Sequence, residues 1–303
     1  TTGLSQYQIT SDSTVEVVQS NYYEHSTIVV IPEKVKIDGK TYSVTSIGEK
    51  AFADCIKLTS VIIPNSVINI GNKAFYDCYK LTSVTIPNSV ISIGDNAFYD
   101  CYSLASVSIS NSVTSIGRNA FRYCGSLKSI TIPSSITSIG ENAFLYSGLT
   151  DINVESGNTK YASEDGVLFN FDKTTLVCYP SNRTGAYTIP ESVISIGEDA
   201  FYECSGLTSI TIPNSVKNIG QLAFYRCNGL KSVTIPNSVE CIEYGAFEEC
   251  SNLASISIPE SVTYIGEYAF ERCSSLTTVT IPNSVTNIMY GTFMDCSNLT
   301  TIN

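Results

Sequence analysis

The chain has 303 residues, 43% of them hydrophobic, and a formal net charge of −11 from 17 basic and 28 acidic residues. That hydrophobic share supports a packed core and excludes a disordered chain. Lys and Arg never cluster, which argues against nucleic acid or an anionic membrane as partner, and no apolar run is long enough to span a bilayer.

The chain opens "TTGLSQYQIT" without Met, as expected of a mature or trimmed form whose missing signal says little about compartment. In residues 1–45, "YQIT" and "TVEVV" around "SDS" predict a β-hairpin, followed by the strand "STIVVIP" and an Asp38-Gly39 turn. This segment is expected to cap the first coil of a repeat array. From residue 46 a 23-residue step takes over, marked by Pro64, Pro87, Ser110 and Pro133. A first repeat block therefore covers 46–154. Residues 155–189 break the register: Ser147 already stands where the repeat has Cys, and "DGVLFNFDKTTLVCYP" predicts an added β-hairpin. The step resumes at Pro190, Pro213, Pro236, Pro259 and Pro282, giving a second block over 190–303. "LTTIN" stops inside a strand without a polar cap, so the native chain is expected to continue.

Each repeat carries two periods. Leu81, Val84 and Ile86 alternate with polar residues as a strand with one buried face, and Pro87 ends its pairing. Val90 and Ile93 make a second extended piece, closed by a sharp turn at Gly94. "DNAFYDC" predicts a helical or 3-10 turn directing Ala97, Phe98 and Cys101 inward. One coil cannot bury its own apolar side, whereas stacked coils can. The expected architecture is an α/β repeat solenoid, right-handed, with a parallel sheet on one face and short second strands and helical turns on the other.

Reactive chemistry is scarce. Nine serines hold one position (Ser66, Ser89, Ser112, Ser135, Ser192, Ser215, Ser238, Ser261 and Ser284) and predict a structural ladder at a backbone bend. Nine of eleven cysteines share another, from Cys55 to Cys296, with Cys178 and Cys241 extra. Equivalent positions point the same way, so these are expected to be buried free thiols, with no metal. His25 is the only histidine, and no Ser-His-Asp or Cys-His arrangement can be assembled in the repeats. Carboxylates recur two places after Phe (Asp54, Asp77, Asp100) or just after Gly, where they would favour a helical-turn dipole. Repeated on every coil, they describe a solvated edge and no unique acid–base pair. No catalytic residue and no cofactor are expected.

Two surfaces remain. Outward strand positions are mostly Ser and Thr, such as Ser83, Thr85, Thr211 and Thr234; Asp151 and Asn153 break the series, and Ile62 is the lone apolar one. Such residues suit a crowded parallel sheet. Tyr76, Tyr79, Tyr99, Tyr102, Tyr123, Tyr146, Tyr202 and Tyr225 fall on the turn side, with Arg122, Arg226 and Arg272 among them. Tyr with Arg is common hot-spot chemistry, so these are the candidate partner-binding residues. The alternative is Tyr-on-Tyr packing between coils.

The pattern "IPNSVxxIGxxAFxxC…LxxV" over residues 42–303 resembles the BspA-like type of leucine-rich repeat. The resemblance implies a curved leucine-rich-repeat solenoid on a secreted or surface-anchored protein. It further implies adhesion to protein or glycan on host, matrix or microbial surfaces. The chain is expected to act as a monomer, with a structural spacer as the main rival reading and a glycan-active enzyme a distant one.

Overall fold

The structure is a computed structural model and describes residues 6–21 and 23–303. The chain forms two compact units, residues up to 160 and from 161. Each is a solenoid of stacked parallel strands, and both begin with antiparallel strands.

In the N-terminal unit, Tyr7–Ile9 and Thr14–Val17 form a hairpin, and Thr14–Val17 pairs parallel with the long strand Lys40–Ile47. That strand also pairs antiparallel with Lys34–Ile37 through the Asp38-Gly39 turn, both of whose residues are left-handed, at φ 48° and 85°. The sheet continues through two-residue strands, Asn69–Ile70, Ser92–Ile93, Ser115–Ile116 and Ser138–Ile139. A second sheet carries Ile28–Val30, Ser60–Ile62, Ser83–Thr85 and Ser106–Ser108, in parallel. The C-terminal unit opens on a meander, Tyr161–Glu164, Val167–Asn170 and Thr175–Cys178, whose last strand pairs parallel with Ser195–Ile196. Asn218–Ile219, Cys241–Ile242 and Tyr264–Ile265 follow at the repeat step.

The predicted helical turn does not form: no helix occurs among the described residues. The segment "DNAFYDC" is a string of tight turns with two left-handed residues, Asn96 and Asp100, each at φ 55°. Its amides alternate in direction. Ala97, Tyr99 and Cys101 donate within the coil to Gly94, Asn96 and Phe98. Asn96, Phe98 and Asp100 donate instead to the carbonyls of Arg118, Ala120 and Arg122 in the next coil, each at 2.8 Å. A helix would spend all of these donors inside one coil and leave its neighbour unpaired. The carboxylates just after Gly, such as Asp95 and Glu141, therefore have no helix dipole to serve. Asp54, Asp77 and Asp100 occupy a left-handed rung, which Asp and Asn tolerate better than most side chains.

The repeat glycine likewise has a different role from the expected one. Gly94 and Gly117 are not left-handed. A Cβ on Gly117 would lie 2.4 Å from the carbonyl carbon of Gly94, so these glycines let successive backbones touch.

The core is a set of columns. Phe52, Phe75, Phe98 and Phe121 are fully buried, with ring centroids 5.1 to 5.3 Å apart and planes within 6°. Phe201, Phe224, Phe247 and Phe270 repeat this in the C-terminal unit at 4.8 to 5.5 Å. Tyr23 lies against Phe52 and continues the first column. Beside the rings run the thiols. Cys78, Cys101 and Cys124 donate their Sγ–H to the carbonyls of Phe52, Phe75 and Phe98, at 3.1 to 3.3 Å. Cys227, Cys250 and Cys273 do the same to Phe201, Phe224 and Phe247. All eleven cysteines are free, and burial pushes the Cys78, Cys101, Cys227, Cys250 and Cys273 thiols well up.

Two outcomes are expected. Gly117→Ala lowers stability by about 1–3 kcal/mol, because the new methyl meets backbone that cannot move aside; an unchanged chemical-denaturation midpoint would contradict this. Titration of the native protein with an aromatic disulfide reagent modifies only the half-buried Cys178, Cys241 and Cys296. The other eight thiols react after unfolding, and prompt labelling of all eleven would refute the buried column.

Candidate functional site

The turn side of the N-terminal unit presents three adjacent columns. One place after Phe stand Tyr76, Tyr99 and Arg122. On the left-handed rung stand Asp54, Asp77, Asp100, Tyr123 and Tyr146. Just past the cysteine stand Ile56, Tyr79 and Tyr102, which are 49%, 41% and 61% exposed. Tyr76 stacks on Tyr99 at 4.9 Å, Tyr99 meets the edge of Tyr123 at 5.4 Å, and Tyr123 stacks on Tyr146 at 4.6 Å. Arg122 lies over both of the last two rings, 5.2 and 5.1 Å from their centroids, and Lys73 lies 5.7 Å from that of Tyr76. Holding a tyrosine left-handed costs about 1–2 kcal/mol, and this stacking offsets it. Between the tyrosine columns, Asp54, Asp77 and Asp100 pair with no basic group among the described residues. Partial burial and the neighbouring carboxylates raise the pKa of Asp77, and partial burial raises that of Asp100.

In the C-terminal unit the same rung alternates in charge: Glu203, Arg226, Glu249, Arg272 and Asp295, all left-handed. Arg226 Nη1 donates to Glu203 at 2.9 Å and its Nε to Glu249 at 2.5 Å, while its guanidinium lies 5.0 Å from the centroid of Tyr225. Arg272 Nη1 donates to Glu249 at 2.9 Å, and its Nε lies 3.5 Å from Asp295. Two arginines hold the Glu249 carboxyl below its usual range. Tyr202 stacks on Tyr225 at 4.5 Å. The candidate residues are thus gathered along one side of each unit, but Tyr99, Tyr123, Tyr225, Arg226 and Arg272 are already engaged within the fold. Only Tyr79 and Tyr102 of the set stand largely clear, and the Tyr102 ring covers Gly125, where a Cβ would come within 2.5 Å of it.

A further aromatic column went unread in the sequence. Tyr244, Tyr268 and Tyr290 meet edge to face at 5.5 Å, with Tyr290 66% exposed. Gly245 and Gly291 take the left-handed position there, and a Cβ on Gly291 would collide with the Tyr268 ring at 2.6 Å. The departure of these two glycines from the repeat pattern was the signal that could have found it.

On the sheet side, each unit has a shallow groove where the strands meet the Pro-Asn-Ser bend. One, of about 570 Å³, is lined by Ser83, Thr85, Ser108 and the amides of Asn65 and Asn88. Its counterpart, of about 640 Å³, is lined by Thr211, Thr234, Ser257, Asn214 and Asn237. Ile62 is not isolated, because Ile28 and Val30 on the preceding strand are 63% and 62% exposed. Behind the bend, Ser135, Ser192 and Ser284 donate to the carbonyls of Val113, Lys173 and Val262 in the preceding coil. The hydroxyls of Ser66, Ser89, Ser215, Ser238 and Ser261 are buried without a hydrogen-bond partner. His25 is exposed. Among the described residues no group of three or more His, Cys, Asp or Glu is placed to hold a metal ion, and no helix is long and apolar enough to cross a membrane.

The charge ladder gives a signed pH effect. Glu249 has a folded pKa below its unfolded one, so its contribution is present above the ordinary carboxylate range and is lost as pH falls through the folded value. Arg226→Ala therefore lowers stability by about 1 kcal/mol at neutral pH, and the gap to the unsubstituted protein narrows on acidification. A gap that widens in acid, in paired denaturant titrations, would contradict this.

The sequence pattern of the BspA type leucine-rich repeat region, six copies long, matches residues 45–165 and 177–300. No curated protein matches the chain. Among solved structures, the pneumococcal vaccine antigen PcpA is similar in fold, with a TM-score of 0.83 at 24% identity over 98% of this chain and 84% of that one. A leucine-rich cell surface protein from Faecalibacterium prausnitzii is 31% identical over 100% of this chain and 93% of its own, with a TM-score of 0.68. A leucine-rich repeat protein from Bacteroides ovatus is 32% identical over 98% and 86%, with a TM-score of 0.56. The 23-residue period, the stacked parallel strands and these likenesses agree: the chain belongs to the BspA-type leucine-rich repeat family.

Proposed function

We propose that the chain is a non-enzymatic interaction protein of the cell surface or the secreted fraction. It binds protein or glycan on host, matrix or microbial surfaces, as a monomer, through the tyrosine-bearing turn side. The observation that carries this reading is the largely exposed pair Tyr79 and Tyr102, next to tyrosines already fixed by stacking. Rigid aromatic rings lose little entropy on contact, and a repeated array lets weak contacts add. The likeness to a protein described as a leucine-rich cell surface protein supports the location.

One observation favours the spacer reading. Tyr99, Tyr225, Arg226 and Arg272 are partnered inside the fold, which gives them a structural use with no ligand. Binding separates the two readings. On surfaces coated with matrix proteins, mucin and a glycan panel, the protein is expected to bind saturably, and Tyr79→Glu with Tyr102→Glu, at the two exposed rings, is expected to abolish binding with folding intact. Binding lost instead through Thr85→Lys and Thr234→Lys would move the site to the sheet grooves. Absence of saturable binding to any surface would favour the spacer.

A further inference from the structure

The rungs of the two units differ in one respect that bears on partner chemistry. In the C-terminal unit every basic rung is a cation between two carboxylates, and Arg226 also lies across a tyrosine: Glu203 and Glu249 take its donors while Tyr225 takes its face. In the N-terminal unit the same rung is occupied at three successive coils by Asp54, Asp77 and Asp100, with no cation between them. The rings are in place on both sides. Tyr76 and Tyr99 stack along one flank, and Ile56, Tyr79 and Tyr102 stand exposed along the other. Neighbouring cations on this unit already use such rings, Lys73 over Tyr76 and Arg122 over Tyr123 and Tyr146.

We propose that this exposed aromatic surface of the N-terminal unit is the docking surface for a basic polypeptide segment. Its Lys or Arg side chains enter between the rung aspartates and lie on the exposed Tyr79 and Tyr102 rings, as Arg226 lies on Tyr225 within the C-terminal unit. The inference rests on the reading of the turn side as the contact surface and adds the class of partner. Charge decides that class. Three carboxylates about one coil apart repel one another and any anionic partner, so phosphate-bearing polymers and acidic glycans are disfavoured. An uncharged glycan would gain the rings but leave the carboxylates unneutralised. A guanidinium or ammonium group satisfies both, through cation–π contact and charge-assisted hydrogen bonds. The raised pKa of Tyr79, caused first by Asp77 and Asp100, agrees with rings and carboxylates forming one surface.

The test uses the full chain and a labelled dodecapeptide of alternating Lys and Ala, with alternating Glu and Ala as its counterpart, followed by fluorescence anisotropy. The Lys peptide is expected to bind saturably, and more weakly as salt rises, while the Glu peptide does not bind. Asp77→Asn with Asp100→Asn keeps residues that accept the left-handed backbone, and is expected to weaken binding about tenfold. Tyr79→Ala with Tyr102→Ala removes only exposed rings, and is expected to weaken it about fivefold, including at high salt. Glu191→Gln with Glu260→Gln changes net charge equally at exposed sites in the C-terminal unit, and is expected to leave binding unchanged. Equal losses from both acidic pairs would reduce the effect to net charge and overturn the proposal, as would binding indifferent to the aspartates. If the matrix or glycan surfaces still bind through Tyr102 while the Lys peptide does not bind, the contact-surface reading stands and the basic partner falls.

Discussion

The fold depends on the hydrogen bond from one coil to the next. On the turn side, alternate amides leave the coil and reach a carbonyl one repeat on, as Asn96, Phe98 and Asp100 do. On the strand side the parallel ladders do the same between Ser92–Ile93 and Ser115–Ile116. Both sets require neighbouring coils to have nearly the same backbone, residue by residue. That requirement explains a sequence that repeats itself so closely. It forces small residues where backbones touch, at Gly94 and Gly117, and left-handed backbone at two positions per turn segment. Given those constraints, the Phe and Cys columns follow, because identical coils place identical side chains on top of one another.

The same constraint separates the positions that can vary from those that cannot. The inward positions are held by packing, and a large-to-small change there leaves a cavity that stacked neighbours cannot fill. The left-handed rung is held only by its dihedral angle. It accepts Asp100, Tyr123, Glu203 and Arg226 alike, each pointing away from the core. Charge and aromaticity on the turn side can therefore change from coil to coil without disturbing the stack. The three aspartates of one unit and the alternating ladder of the other are two settings of one position.

Much of this was legible in the sequence, and the rest failed for identifiable reasons. The step from Pro64 to Pro87, the alternation of Leu81, Val84 and Ile86, and the inward Phe and Cys were readable because burial acts on residue type at fixed spacing. The helical turn was misread because "DNAFYDC" has the composition of a helix start, and local pattern cannot show that its amides are needed by the next coil. Asn96, Asn119, Asn142, Gly245 and Gly291 at one position carried the correction. For the tyrosines the sequence leaves two readings open, contact with a partner or packing of Tyr on Tyr between coils, and the stacked pairs fit the second. Whether Tyr99 faces solvent or another ring depends on residues 23 positions away and on their rotamers. Tyr244 and Tyr290 were missed because they sit one place earlier than Tyr268, an offset that disappears only when coils are stacked.

The thiol column has a kinetic meaning as well as a structural one. In six rungs a fully buried sulfur lies 3.0 to 3.3 Å from the carbonyl of a phenylalanine one coil back, so an added oxygen would displace packed neighbours. A sulfur that acquires one while its coil is transiently open cannot return to that place. Under oxidising conditions, brief local openings would become permanent, one coil at a time. The lifetime of the folded array would then be set by how often coils open, whatever its equilibrium stability.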